Sequence, residues 1–219
     1  MPEVSPRRYM LLNSEETTQT HTSAVEPPAG SASVFRIVCA HIVRYLFASF
    51  LALVIFYLSL VITSPPLTLT ETQPIDRAIS VLESKGFARE AFLLRHVATF
   101  RGSDNWLNET QSAENAYAAT NFPFEMITLY PDFYRKATDD TERAMVLLHE
   151  AQHMQGDDET AAYAYVWQNR ERLGWTQLSH GTTETYVTVG LQTRENAPEL
   201  FTCANKMWND CTESLTARK

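Results

Sequence analysis

Residues 45–62, YLFASFLALVIFYLSLVI, run for eighteen positions without a charge. A helix of that length covers about 27 Å at 1.5 Å per residue, close to the hydrocarbon thickness of a bilayer. A helix in a soluble core would show polar positions along one side; here only Ser49 and Ser59 interrupt the apolar surface. The apolar character begins earlier, at Val34, broken only by Arg36, His41 and Arg44. A cleaved signal peptide is the competing reading. The long tail in front, the excess length and the sequence TSPP, where a small-x-small cleavage site is required, favour an uncleaved span. Arg36 and Arg44 precede the span, whereas Glu71 and Asp76 are the first charges after it, ahead of Arg77. That bias predicts a cytoplasmic N-terminus and a C-terminal domain in the periplasm, a lumen or the cell exterior.

The span divides the chain. Residues 1–33 are rich in Ser, Thr, Glu and Pro and lack a periodic apolar face, so a disordered tail is expected. Residues 34–63 form a transmembrane signal anchor, residues 64–73 a Pro- and Thr-rich linker, and residues 74–219 one folded domain. The net charge of −8 and pI near 5.2, with no basic stripe, argue against a nucleic-acid partner. Three cysteines without CxxC spacing are too few for a disulfide scaffold. Cys203 and Cys211 either close a short loop, which suits an oxidising compartment, or remain free thiols. Cys39, at the edge of the span, is a buried thiol or an acylation site. Asn108-Glu109-Thr110 fits the N-glycosylation pattern.

Within the domain, PIDRAISVLESKG places Ile75, Ala78, Ile79 and Leu82 at helical spacing, with Pro74 suited to the first turn and Gly86 to the stop. A second helix is expected from Phe87 to about Phe100, carrying His96 as a packing residue. Aromatic and β-branched residues between prolines predict a strand from Glu125 to Tyr130. It serves either as a core strand or as an edge that holds an extended peptide.

The segment TDDTERAMVLLHEAQHMQGDDE carries the chemistry. Asp139 stands as N-cap with Glu142 at capping-box spacing, and Ala144 to Leu148 form an apolar block. Gly156 falls where a left-handed terminus is wanted. His149 and His153 therefore lie one turn apart on one helix face, able to converge on one ion, with Glu150 about 100° round the helix. Neutral imidazoles hold Zn²⁺ without cancelling its charge, and a neighbouring glutamate can take a proton from water. The following helix, starting at ETAAYAY and ending at Gly174, is capped by Asp157 or Asp158. Any of Glu159, Asp157 and Asp158 can supply a third carboxylate ligand. Tyr163, His180 and Tyr186 are candidates to stabilise an oxyanion, or are packing residues.

HEAQHMQGDDE, read as HExxHxxGxxE, resembles the zincin metallopeptidases, with the spacing of the metzincin pattern and glutamate in place of its third histidine. The resemblance covers residues 139–165. It implies an α+β, mostly helical zincin-like domain behind the transmembrane helix, with His149, His153 and Glu159 as zinc ligands and Glu150 as general base. The chain departs from metzincins at that glutamate and in lacking a clear Met-turn, for which Met207 is the one downstream methionine. In gluzincins the third glutamate comes about twenty residues later, a spacing that here falls near Glu171 and Arg172. The implied function is membrane-anchored, zinc-dependent hydrolysis of peptide or protein substrates. The alternative is a tethered binding or sensor domain that keeps the scaffold without turnover.

Overall fold

An apolar sequence can satisfy its backbone in hydrocarbon only by forming all its hydrogen bonds internally, and the long run does so as helix α1, Ser31–Thr63. Its stretch Val34–Thr63 is long and apolar enough to cross a membrane. Phe47, Phe50 and Leu53 are exposed, unlike the residues of a soluble core helix. The Ser59 hydroxyl donates to the Phe56 carbonyl at 2.7 Å and the Thr63 hydroxyl to the Ser59 carbonyl at 2.8 Å, so these polar groups find partners on their own helix. The computed structural model describes residues 31–106, 116–122, 124–204, 206 and 209–212. Residues 1–30 of the expected tail, the Asn108 glycosylation motif and Met207 lie outside the described residues. The chain divides into two units, Met1–Phe50 and Leu51–Lys219, with the boundary inside α1.

In the larger unit the expected linker is tied down. The Ser64 hydroxyl donates to the Ser103 carbonyl at 2.6 Å, the Gly102 amide donates to the Pro65 carbonyl at 3.2 Å, and Pro66 bridges to Arg101. Helix α2, Leu69–Ser84, starts earlier than its apolar periodicity suggests. The Glu71 carboxylate accepts from the Thr68 amide at 2.8 Å, a cap that lets the helix begin there. Pro74 therefore lies inside the helix, where it removes the donor that would reach the Thr70 carbonyl. Ile75, Ala78, Ile79 and Leu82 are buried as their spacing predicts. Helix α3, Ala88–His96, stops short of Phe100 because Thr99–Arg101 is taken into a sheet as β1. His96 is not buried: its exposed ring rests on Phe92 with centroids 4.9 Å apart.

Strands β2, Ala118–Asn121, and β3, Met126–Leu129, complete a three-stranded sheet of order β1-β3-β2. Phe100 pairs with Ile127 in the parallel ladder and Thr120 with Ile127 in the antiparallel one. All four residues of β3 are buried. The expected strand thus exists, but it is the central one, and β2 is an edge strand among the described residues.

Helix α4, Pro131–Arg135, leads into α5, Asp140–His153, followed by α6, Glu159–Leu173, α7, Gln177–His180, α8, Glu184–Asn196, and a 3-10 turn, Pro198–Phe201. The result is mostly helical with one small sheet. Helix α5 is its axis, touching α2, α3, α6 and β2. Its block Ala144, Met145, Val146, Leu147 and Leu148 is buried throughout, with Leu82, Leu94, Ile127 and Phe133 in the same core. Beyond α8, the buried pair Arg170–Asp210, at 2.7 Å, and a Trp167 indole N–H donating to Asp210 at 2.9 Å fasten the C-terminal segment to α6. Cys203 and Cys211 form a disulfide, and Cys39 is free.

Candidate metal centre

Both ends of α5 are set by short local sequences. At its start the Asp139 carboxylate accepts from the amides of Thr141 and Glu142, each at 2.9 Å. Glu142 does not complete the expected box with Asp139. It is fully buried and accepts instead from the Thr138 amide at 2.8 Å, the Thr183 hydroxyl and the Trp175 indole. At the other end Gly156 has φ +89°, a left-handed conformation that an L side chain rarely adopts. The chain reverses there, and the Asp158 carboxylate caps α6 by accepting from the Ala161 amide at 2.9 Å. Glu159, the first residue of α6, is thereby returned to the face of α5 that carries the histidines.

Three side chains meet at that face. His149 Nε2 and His153 Nε2 are 3.0 Å apart. Glu159 Oε2 is 3.2 Å from His149 Nε2, and Glu159 Oε1 is 3.5 Å from His153 Nε2. Four donors placed tetrahedrally about 2.05 Å from zinc stand about 3.3 Å from one another. The three observed separations bracket that value, so the group His149–His153–Glu159 could hold a metal ion. The orientation agrees. His153 Nδ1 is 2.9 Å from the Asp157 carbonyl, which can only accept, so Nδ1 carries hydrogen and Nε2 is the nitrogen turned to the shared point.

The local field favours a cation. Burial alone would lower the His153 pKa, but the Glu159 carboxylate and the Asp157 carbonyl outweigh it and hold it at about 9. The Glu159 carboxyl, facing both imidazoles, is driven far below the usual carboxylate range. Asp157 and Asp158 do not join the group: one contributes its carbonyl to His153, the other its carboxylate to the α6 cap. Glu171 stands near the far end of α6, about 18 Å along the helix from Glu159 at 1.5 Å per residue.

Glu150 points into the same cleft, a cavity of about 370 Å³ lined also by Tyr117, Thr120, Tyr163 and Gln192. It is 4% exposed, and its Oε2 accepts from the Thr120 hydroxyl at 2.7 Å. Tyr163 lies on His149 with ring centroids 4.5 Å apart, and burial beside Glu159 and Glu150 raises its pKa. The two other oxyanion candidates lie elsewhere. His180 Nε2 is 3.0 Å from Asp139 Oδ2 at the start of α5, about 15 Å along the helix from His149. Tyr186 is buried against Trp175 and Trp167, with centroids 4.7 and 5.5 Å away. Thr120 and Gln192 were not foreseen. They come from a distant strand and helix, and no local spacing links either to the histidines.

No protein-family model, no curated protein and no solved structure matches this chain. The class of the site therefore rests on its geometry.

Proposed function

We propose that the chain is a membrane-anchored zinc metallopeptidase of zincin type, hydrolysing peptide bonds in the cleft between β2, α5 and α6. The observation that carries this reading is the pairing of a three-donor group with a buried, hydrogen-bonded glutamate in one open cleft. Among the described residues no fourth His, Cys, Asp or Glu joins the group. Three protein donors are the complement of a catalytic zinc, whereas structural zinc takes four.

His149 and His153 would bind through Nε2, and Glu159 through its carboxylate. Zinc held there supplies the positive charge that acidifies water and polarises a carbonyl. Thr120 holds Oε2 of Glu150 and fixes the plane of the carboxylate, leaving Oε1 to take a proton from the attacking water. Glu150 then delivers that proton to the departing amine nitrogen. Tyr163, whose hydroxyl is protonated at neutral pH and which lines the cleft, would donate to the carbonyl oxygen as charge develops. Strand β2, an edge strand among the described residues whose Ala118, Ala119 and Thr120 line the cleft, can pair with an extended peptide backbone.

The domain faces the periplasm, a lumen or the cell exterior, with the N-terminus in the cytoplasm. Arg36 and Arg44 ahead of the span support this, and the Cys203–Cys211 disulfide suits an oxidising compartment. A tethered binding or sensor domain would share every feature except the use of Glu150. Glu150→Gln keeps the shape of the side chain but cannot accept the proton. It is expected to retain zinc stoichiometry and lose peptide hydrolysis by orders of magnitude, measured on a peptide library with the full-length protein. Cleavage by the variant at the wild-type rate would sink the proposed mechanism.

A further inference from the structure

The end of α1 is built into the domain. The Phe56 ring meets Trp106 and Phe124 with centroids 5.7 and 5.2 Å apart, and Tyr57 meets Phe124 at 6.4 Å. The Trp106 indole N–H donates to the Ser59 hydroxyl at 3.1 Å, and Leu60 is fully buried. Phe56 precedes Ile62, the last residue of the apolar run, by six positions, about 9 Å of helix. A bilayer that covers this run therefore reaches the level of Trp106 and Phe124. Residues 64–66 are tied to Arg101, Gly102 and Ser103, which holds the domain close to the end of α1. Trp106 is 45% exposed, Phe122 59%, and Ile62 near the end of α1 80%. Trp side chains settle at the level of lipid headgroups, and exposed phenylalanines beside that level can enter the adjoining hydrocarbon.

The turn that carries Phe124 also reaches the metal cleft. Phe122 and Phe124 belong to one tight turn, closed by the Phe124 amide donating to the Asn121 carbonyl at 2.9 Å. Phe122 also lines the cleft. Thr120, the partner of Glu150, is two residues back along β2, about 7 Å at 3.4 Å per residue.

We propose that Trp106, Phe122 and Phe124 seat the domain on the bilayer interface, so that the metal cleft takes polypeptide segments within a few residues of a membrane anchor. The seating rests on the packing and on α1 spanning the bilayer; the substrate class rests on the hydrolytic reading above. A segment leaving the bilayer needs only about three or four extended residues to reach Glu150. Its tether also raises its local concentration toward the millimolar range.

The test uses full-length protein in phosphatidylcholine vesicles with and without lipids brominated near the acyl carbonyl. Trp106 is one of four tryptophans, so the brominated lipid is expected to remove up to a quarter of the emission from wild type and much less from Trp106→Phe. Equal quenching of the two proteins overturns the seating. So does shielding of Trp106 from both brominated lipid and aqueous iodide, which would mean that a protein partner covers it. Cleavage is then compared for one peptide sequence, either free or joined to an acyl chain through three residues in the same vesicles. At least tenfold faster cutting of the tethered peptide is expected, with the advantage reduced in Trp106→Ser. Equal rates overturn the substrate class. Failure to cut either peptide overturns the hydrolytic reading and the substrate class with it, while the quenching still decides the seating.

Discussion

Replacing Thr120 with valine removes one hydroxyl and keeps the β-branched shape that suits strand β2. Glu150 is 4% exposed and its Oε2 accepts from the Thr120 hydroxyl at 2.7 Å, so the variant leaves a buried carboxylate with one partner fewer. A hydrogen bond to a charged group contributes about 1.5–3 kcal/mol. If that bond serves to aim the general base, most of its value is lost from the transition state. Each 1.4 kcal/mol is about tenfold in rate, so kcat/KM should fall about ten- to a hundredfold. Thr120 is not one of the three converging donors, so bound zinc should stay at the wild-type level. Thr120→Ser, which restores the hydroxyl, should recover most of the rate. The assay is kcat/KM on a cleaved peptide beside metal content of the same samples. A valine variant as active as wild type would refute the orienting role, and one that loses zinc would show that Thr120 acts through the metal group instead.

Gly156→Ala forces an L side chain into φ +89°, where no atom lies within 4 Å of its Cβ, so the cost is backbone strain alone. That strain is about 1–2 kcal/mol, and the melting temperature should drop by about 2–8 °C for a domain of this size, with weaker zinc binding as Glu159 is displaced. Asp139→Ala removes the α5 cap, which should lower stability by about 1 kcal/mol in chemical denaturation while leaving zinc stoichiometry unchanged. Burial would raise the Asp139 carboxyl, but His180 and the amides of Glu142 and Thr141 outweigh it and hold it below its usual value. Its contribution is therefore present above about pH 4, the ordinary carboxyl value. It is lost as pH falls through the lower folded value, so the gap between wild type and Asp139→Ala should close only in acid.

What could be read from the sequence follows from how local each signal is. The N-cap at Asp139, the turn at Gly156 and the return at Asp158–Glu159 span only twenty-one residues, each decided by a neighbour a few positions away. The long apolar helix was equally legible, because eighteen uncharged residues leave few alternatives. Thr120 was not, since its tie to Glu150 crosses thirty residues and β2 reads AATN, a sequence with little strand character. Tertiary pairing also overrode the expected second helix at Thr99 and Phe100, which the ladder to β3 took. Glu142 shows the same override in a side chain. Its spacing suits a box with Asp139, but the buried donors of Trp175 and Thr183 draw it inward. His180 and Tyr186 looked like equals of Tyr163 in sequence, and only the fold separates them, placing one at the opposite end of α5 and the other in a cluster of tryptophans.

The central claim is that His149, His153 and Glu159 hold one catalytic zinc. X-ray absorption at the zinc edge of the purified full-length protein, with metal content from the same sample, tests it most directly. The account predicts about one zinc per chain, with two imidazole nitrogens at about 2.0–2.1 Å and the remaining scatterers oxygen. His153→Ala should lose the metal, whereas Glu150→Gln should leave the spectrum unchanged. A protein that takes up no zinc, or a site with sulfur or four imidazoles around the metal, would contradict it.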